Sequence, residues 1–96
     1  MKLVVLYKQP EDVAAFEAEY ANHLPLVDKI PGLSDARITR FSKTLAGDGF
    51  YLMAELIFPD ADTFKTAMRS PEMAETGKDA NRFASDLITM MIAEEG

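Results

Sequence analysis

The residue best suited to proton transfer near neutral pH is His23, the single histidine of the chain. Histidine is the side chain whose ordinary pKa lies between pH 5 and 8, so His23 is the first candidate for a general acid or base. Tyr20 stands three residues earlier, a spacing that places both side chains on one face of a helix. We therefore expect Tyr20 to hydrogen bond either to the same ligand or to the imidazole.

Both residues also have a purely structural interpretation. Pro25 disfavours helical geometry at the residue before it, which predicts that the helix ends at His23 or just before it. A partly positive imidazole would then stabilise the negative end of the helix dipole. Tyr20 continues a stripe with Val13 and Phe16 at spacings of three and four residues, which is typical of packing against a core.

Glu55 is singled out by the two-residue alternation of segment 50–58, which is typical of a strand. One face of this segment is wholly apolar, whereas the other carries Tyr51, Met53 and Glu55. A carboxylate on a buried face is costly unless it is paired. We predict that Glu55 either pairs with Arg37 on the adjacent strand or contacts a partner subunit. The functional alternative is a carboxylate of raised pKa that acts on substrate.

Tyr7 ends the first apolar segment, where it is expected either to line the mouth of a cavity or to pack with its hydroxyl in water.

The sequence lacks the residues that more specific kinds of functional site require. One histidine and no cysteine do not make a zinc site within one chain, and the turn 47–49 lacks the lysine and the spacing of a phosphate-binding loop. We predict no metal and no cofactor.

The composition favours a small protein that acts as an oligomer. A chain of 96 residues is expected to form one domain, 1–96, with a modest core, and its 48 % apolar content leaves side chains for a homodimer interface. The net charge of −6 repels a phosphate backbone, which argues against nucleic acid as a partner. No segment approaches the ~20 apolar residues of a membrane helix. With no signal peptide and no cysteine, we expect a cytoplasmic protein without membrane attachment.

The pattern of apolar residues and turn residues predicts an alternation of strands and helices. Residues 2–8 suit a central strand buried on both faces, and Pro10 suits the first turn of a helix. Asp60 and Ser70 are good N-caps. The predicted strands span 2–8, 33–44, 50–58 and 87–93, and the predicted helical segments span 10–22, Asp60 through Arg69, and Ser70 toward Ala80 or Phe83.

This order is β-α-β-β-α-β, the α+β ferredoxin-like arrangement of a four-stranded antiparallel sheet with its helices on one face. That arrangement leaves the other face of the sheet open. An open face that carries Tyr51, Met53 and Ile57 is an apolar patch, and such patches mark an interface or a ligand site. We expect two subunits to cover each other there.

Five segments carry a family resemblance. They are Lys2–Tyr7 (KLVVLY), Tyr20–Leu26 with its HLPL core, Pro31–Leu33 (PGL), Tyr51–Phe58 (YLMAELIF) and Ser70–Glu72 (SPE). In this order and spacing the chain resembles the EthD family, named for proteins linked to ethyl tert-butyl ether degradation, within the wider dimeric α/β-barrel superfamily. The resemblance implies a homodimer whose two sheets close a barrel, with a cavity between sheet and helices or inside the barrel.

The resemblance also implies a class of function. In lactone-isomerase relatives a histidine in the matching segment lies at the pocket, which implies that His23 acts as a general acid or base. The expected ligand is a small, largely apolar organic molecule, and isomerisation, cyclisation or dehydration of it needs no cofactor. One alternative is a non-catalytic binding protein or accessory subunit. The other is a monooxygenase that is either cofactor-free or haem-dependent, with His23 as the axial ligand.

Overall fold

Residues 1–95 are described by a computed structural model, and they form four strands and three helices. The elements are β1 (Lys2–Tyr7), α1 (Val13–Val27), β2 (Asp35–Arg40), β3 (Leu52–Ile57), α2 (Ala61–Met68), α3 (Pro71–Ala84) and β4 (Ile88–Ala93). The strands form one antiparallel sheet in the order β2-β3-β1-β4. The predicted α+β, ferredoxin-like order is confirmed, with α2 and α3 together in the place of the second helix.

The sheet has one buried face and one open face. The buried residues of β3 are Leu52, Ala54 and Leu56, and its half-buried residues are Met53, Glu55 and Ile57. In β1 the same alternation buries Leu3 and Val5 but leaves Val4 and Leu6 half-buried. The prediction that β1 is buried on both faces is therefore wrong for the single chain, because the helices pack against one face only.

Helix α1 is longer at its C-terminal end than predicted. It begins at Val13, where the Asp12 side chain accepts a hydrogen bond from the Ala15 backbone N–H at 3.0 Å, and it continues past Pro25 to Val27. A proline inside a helix costs ~3 kcal/mol. Beyond it, Val27 and Ile30 are 5 % and 4 % exposed, and burying two such side chains contributes about 3–6 kcal/mol. Burial beyond the proline thus offsets its local cost.

The other two helices begin where the sequence predicts. The Asp60 side chain caps α2 by accepting from the Thr63 N–H at 2.7 Å, and Ser70 caps α3 by accepting from the Met73 N–H at 3.1 Å. Pro71 occupies the first turn of α3, where its missing N–H has no consequence. Within residues 1–95 no helix has the length and apolar character needed to cross a membrane.

The hairpin of β2 and β3 is shorter than predicted, and its connection is longer. The two strands pair from Asp35 with Ile57 to Arg40 with Leu52, so residues 41–51 form the loop between them. Gly47 lies in this loop at a φ of +76°, a conformation that glycine adopts without steric cost. Because regular pairing begins at Leu52, the alternation of faces does not apply to Tyr51.

Candidate functional site

His23 lies in the body of α1, not at its end. Four helical residues follow it, and the residue is only 4 % exposed. Its Nδ1 lies 3.0 Å from Oδ2 of Asp79 on α3. The interpretation of His23 as a residue that stabilises a helix terminus is therefore wrong, because the extension of α1 past Pro25 carries the imidazole into the contact between two helices.

Asp79 is an ionised partner for the imidazole. Burial, the largest influence, favours the neutral acid, but hydrogen bonds from His23 and Arg82 together outweigh it and lower the pKa of the carboxyl. Arg82 Nε and Nη2 donate to Asp79 Oδ1 at 3.1 and 3.0 Å, and Nη2 also donates to Glu19. Because a carboxylate can only accept hydrogen bonds, Nδ1 of neutral His23 carries the proton and Nε2 carries the lone pair.

A cavity of about 50 Å³ lies between the sheet and the helices α1 and α3, and His23 lines it. Its other polar lining residues are Tyr7, Tyr20 and Thr76, and the remaining lining residues are apolar or glycine. The Thr76 hydroxyl is bonded to the carbonyl oxygens of Glu72 and Leu26 at 2.8 and 3.3 Å. The chemistry of this cavity therefore rests on one imidazole and two phenols.

Tyr7 and Tyr20 lie beside His23 and beside each other. Both side chains are 2 % exposed, and their ring centroids are 5.6 Å apart, with Tyr20 5.7 Å from the imidazole. Burial raises the pKa of Tyr7 to about 12, with a smaller contribution from the negative charge of Asp79. Burial likewise raises the pKa of Tyr20, and Tyr7 adds to that effect. Tyr20 packs on Phe16, as its structural interpretation predicts, and both tyrosines line the cavity. A hydrogen bond from Tyr20 to a ligand stays a prediction.

Three of the predicted site residues lie on the opposite face of the sheet. Met53 and Glu55 are on the open face of β3, and Arg37 is on the same face of β2, where 67 % of its side chain is exposed. The sheet itself separates them from His23. The residues predicted to form one site are therefore divided between two faces.

The ion pair of Glu55 also differs from the prediction. Lys2 Nζ lies 2.7 Å from Glu55 Oε2, and this hydrogen bond raises the pKa of the ammonium. Arg37 stands directly opposite Glu55 in the register but donates to Asp35 on its own strand at 3.2 Å. Glu55 is thus paired within the chain, as the structural interpretation requires, through β1 instead of β2.

Tyr51 belongs to a third cluster, which joins the end of the sheet to α1. Its hydroxyl donates to Glu17, and its ring packs edge-on against Phe16 at a centroid distance of 5.7 Å. Arg40 donates to the two oxygens of Glu17 at 2.9 and 2.7 Å. These hydrogen bonds, first from Arg40 and then from Tyr51, lower the pKa of Glu17 to about 2. Tyr51 therefore lies on the helix side, and its role as a ligand-binding residue on the open face has no geometric support.

Asp79 is the site residue that the sequence reasoning missed. It precedes the buried Ala80 and follows the buried Thr76 by three residues, so an acidic residue stands at the edge of the apolar stripe of α3. An acidic residue at the edge of an apolar stripe can be found in the sequence, and it indicates a carboxylate close to the core.

Within residues 1–95 no three histidine, cysteine, aspartate or glutamate side chains lie together as a metal site.

The chain is similar to known proteins over nearly its whole length. The family model of the EthD domain matches residues 8–86. A solved EthD family protein from Bacillus halodurans C-125 is 47 % identical, with 99 % of this chain and 97 % of that chain covered and a TM-score of 0.92. The uncharacterised 11.0 kDa protein in the thcB-thcC intergenic region of Rhodococcus erythropolis is 33 % identical over 101 residues, 98 % of this chain and 93 % of that protein. A dimeric ferredoxin-like protein of unknown function from Jannaschia sp. CCS1 shares the fold, with 16 % identity, 98 % and 97 % coverage and a TM-score of 0.73.

The orientation of the imidazole by Asp79 is testable because the chain has a single histidine. In the wild-type protein at alkaline pH, ¹⁵N NMR of labelled histidine should show one tautomer, with the proton on Nδ1. Asp79→Asn should shift the population toward the Nε2–H tautomer, because the asparagine amide can donate to Nδ1. Asp62→Asn, a substitution of the same kind on the exposed surface of α2, should leave the tautomer unchanged. An unaltered tautomer in Asp79→Asn would contradict the assigned role of the carboxylate.

The Glu17 cluster predicts a pH dependence of stability. The pKa of Glu17 is about 2 in the folded chain against an ordinary value of 4.5, so folding favours the ionised form. The stabilisation is therefore complete above the ordinary pKa and is lost as the pH falls toward about 2. The difference in unfolding free energy between wild type and Glu17→Gln, measured with urea, should shrink between about pH 6 and pH 2.5. Glu75→Gln on the exposed surface of α3 is the control, and a Glu17→Gln difference that does not vary with pH would refute the assignment.

Proposed function

The chain belongs to the EthD family, and on that premise we propose that it acts on a small, largely apolar organic molecule by acid–base chemistry centred on His23. The observation that carries the proposal is the hydrogen bond from His23 Nδ1 to Asp79 at 3.0 Å, at the edge of an apolar cavity lined by the same imidazole. An oriented base next to a binding space is the arrangement that proton transfer requires.

Each part of the arrangement has a chemical task. The lone pair of Nε2 accepts a proton from the substrate, and the carboxylate of Asp79 stabilises the imidazolium that forms. The apolar lining excludes water, which strengthens the electrostatic interactions inside the cavity. The imidazolium then returns the proton to another atom of the substrate. Isomerisation, cyclisation and dehydration all proceed by such transfers without a cofactor.

The volume of the cavity limits what binds. About 50 Å³ is well below the ~300–1,000 Å³ of pockets that hold drug-sized ligands. A larger substrate therefore requires the rim to move, and the flexible side chains of Met73 and Met90 form part of the lining. A porphyrin does not fit this volume, so the haem-dependent alternative has no support in this geometry.

The proposal includes a homodimer formed through the open face of the sheet. Val4, Leu6, Met53 and Ile57 lie on that face, and its half-buried carboxylate, Glu55, is already paired with Lys2. Covering such an apolar surface with a second copy stabilises both chains. The similar fold from Jannaschia sp. CCS1 is described as dimeric, which supports the same assembly here. Two sheets packed in this way form the barrel that the family resemblance implies.

The role of His23 predicts a loss of activity without a loss of fold. A screen of small neutral substrates begins with α-angelica lactone, whose isomerisation to the conjugated five-membered ring of β-angelica lactone moves one proton and is followed by ultraviolet absorbance. His23→Gln should lower the rate for any lactone that the wild type converts by roughly 10²–10⁴-fold, because a general base is removed. Circular dichroism checks that the variant remains folded. Full activity of folded His23→Gln would refute the role of His23 as the general base.

The dimer is tested by placing a charge on the open face. Met53→Asp should give monomers in analytical ultracentrifugation, because an unpaired carboxylate would be buried between the two sheets. Leu45→Asp adds the same charge in the loop 41–51, where Leu45 is 89 % exposed, and should leave the dimer intact. A Met53→Asp protein that remains dimeric places the interface elsewhere.

A further inference from the structure

We infer that the substrate is a small neutral carbonyl compound whose oxygen is bound by the hydroxyls of Tyr7 and Tyr20. This inference rests on the proposed function and specifies its substrate class. The two phenols and the imidazole of His23 are the polar groups of the cavity that are not already bonded to the backbone. They therefore decide which functional group of a ligand is recognised.

The hydroxyl groups are available to a ligand. Among the side-chain hydrogen bonds of residues 1–95, none involves the hydroxyl of Tyr7 or Tyr20. Yet this part of the chain contains no fully buried side-chain oxygen or nitrogen that lacks a partner. Both hydroxyl oxygens must therefore border a space that a molecule the size of water reaches. Both tyrosines line the cavity, so we assign that space to it. The same reasoning applies to Nε2 of His23, whose ring bonds to Asp79 through Nδ1 alone.

Both phenols act as donors. Burial raises the pKa of Tyr7 to about 12 and also raises that of Tyr20, so both keep their protons at neutral pH. A ligand oxygen can accept from both hydroxyls, because neither is hydrogen bonded to another side chain or to the backbone within residues 1–95. Two donors bound to one ligand oxygen would stabilise the negative charge that develops on it.

The charges around the cavity favour a neutral ligand. Apart from His23, no residue that lines it carries a charged side chain. The nearby cation Arg82 is bonded to Asp79 and Glu19, and Arg40 is bonded to Glu17, so neither is free to pair with an anion. A carboxylate or phosphate that entered would lose its hydration without gaining a counter-charge. A ketone, enone or lactone accepts hydrogen bonds from the two tyrosine hydroxyls without the loss of hydration that a charged group would suffer.

The reaction that follows is an enolisation. Nε2 takes a proton from the carbon next to the carbonyl, the electron pair of that C–H bond moves into the carbon skeleton, and negative charge develops on the oxygen held by Tyr7 and Tyr20. The imidazolium then returns the proton, either to the same carbon or to the far end of a conjugated system. Atoms and electrons balance, because substrate and product are isomers and the imidazole is regenerated.

The test compares three molecules of nearly the same shape. Butanone has a neutral oxygen, 2-methylbut-1-ene has a methylene group in its place, and propionate has a charge. Binding is followed in the ¹³C spectra of labelled methionine methyl groups, since Met73 and Met90 line the cavity and the other four methionines do not. Butanone should bind more tightly than both analogues and shift these two signals.

Removing each hydroxyl separately identifies its contribution. Tyr7→Phe and Tyr20→Phe should each weaken the binding of butanone by roughly three- to tenfold, the value of one neutral hydrogen bond, and leave 2-methylbut-1-ene unaffected. Tyr51→Phe is the matched control, because the Tyr51 hydroxyl bonds to Glu17 outside the cavity. Absence of butanone binding, equal or tighter binding of either analogue, or equal affinity in all three tyrosine variants would overturn the inference.

A second measurement separates this inference from the proposed function. In deuterated water the protein should accelerate the exchange of the α-protons of butanone, and His23→Gln should abolish that acceleration. If butanone binds through the two hydroxyls but exchange is the same with and without His23, carbonyl recognition stands and the acid–base function fails. If exchange depends on His23 but the tyrosine variants leave butanone binding and exchange unchanged, the acid–base function stands and the assignment of the hydroxyls fails.

Discussion

A buried imidazole needs a hydrogen-bond partner, and in this chain the partner is Asp79. The contact joins α1 to α3 and is one of three polar links along the same pair of helices. Glu19 meets Arg82, His23 meets Asp79, and the Leu26 carbonyl oxygen meets Thr76. The residue numbers rise along one helix and fall along the other, so the two helices run in opposite directions. The cavity lies between this helix pair and the sheet, and its lining depends on the pairing being kept.

The extension of α1 past Pro25 is what makes that pairing possible. A helix that ended at His23 would lack the Leu26 carbonyl oxygen that accepts from Thr76, and Val27 would not reach the core. Local proline chemistry and tertiary packing are in conflict here, and burial of the residues beyond the proline is large enough to decide the outcome.

The sheet divides the molecule into two environments with different chemistry. On the helix side, an aromatic cluster of Tyr7, Phe16 and Tyr20 continues through Phe83 to His23, with ring centroids 5.4–5.8 Å apart. On the open side, β1 and β3 present Val4, Leu6, Met53 and Ile57 together with the ion pair of Lys2 and Glu55. We propose that proton transfer belongs to the first environment and subunit contact to the second. The two functions are thus compatible because the sheet separates the residues that serve them.

The amino-acid sequence by itself determined the order of elements, the two faces of β3 and the caps at Asp60 and Ser70, because these depend on neighbours a few residues apart. It also singled out His23, Tyr20 and Tyr7. Only the tertiary structure decided that Asp79 holds His23, that Lys2 pairs with Glu55, and that the predicted site residues fall on opposite faces of the sheet. Asp79 and His23 are 56 residues apart, and Lys2 and Glu55 are 53 apart. The physical reason is that contacts over such separations depend on where whole helices and strands pack, and no local preference encodes them.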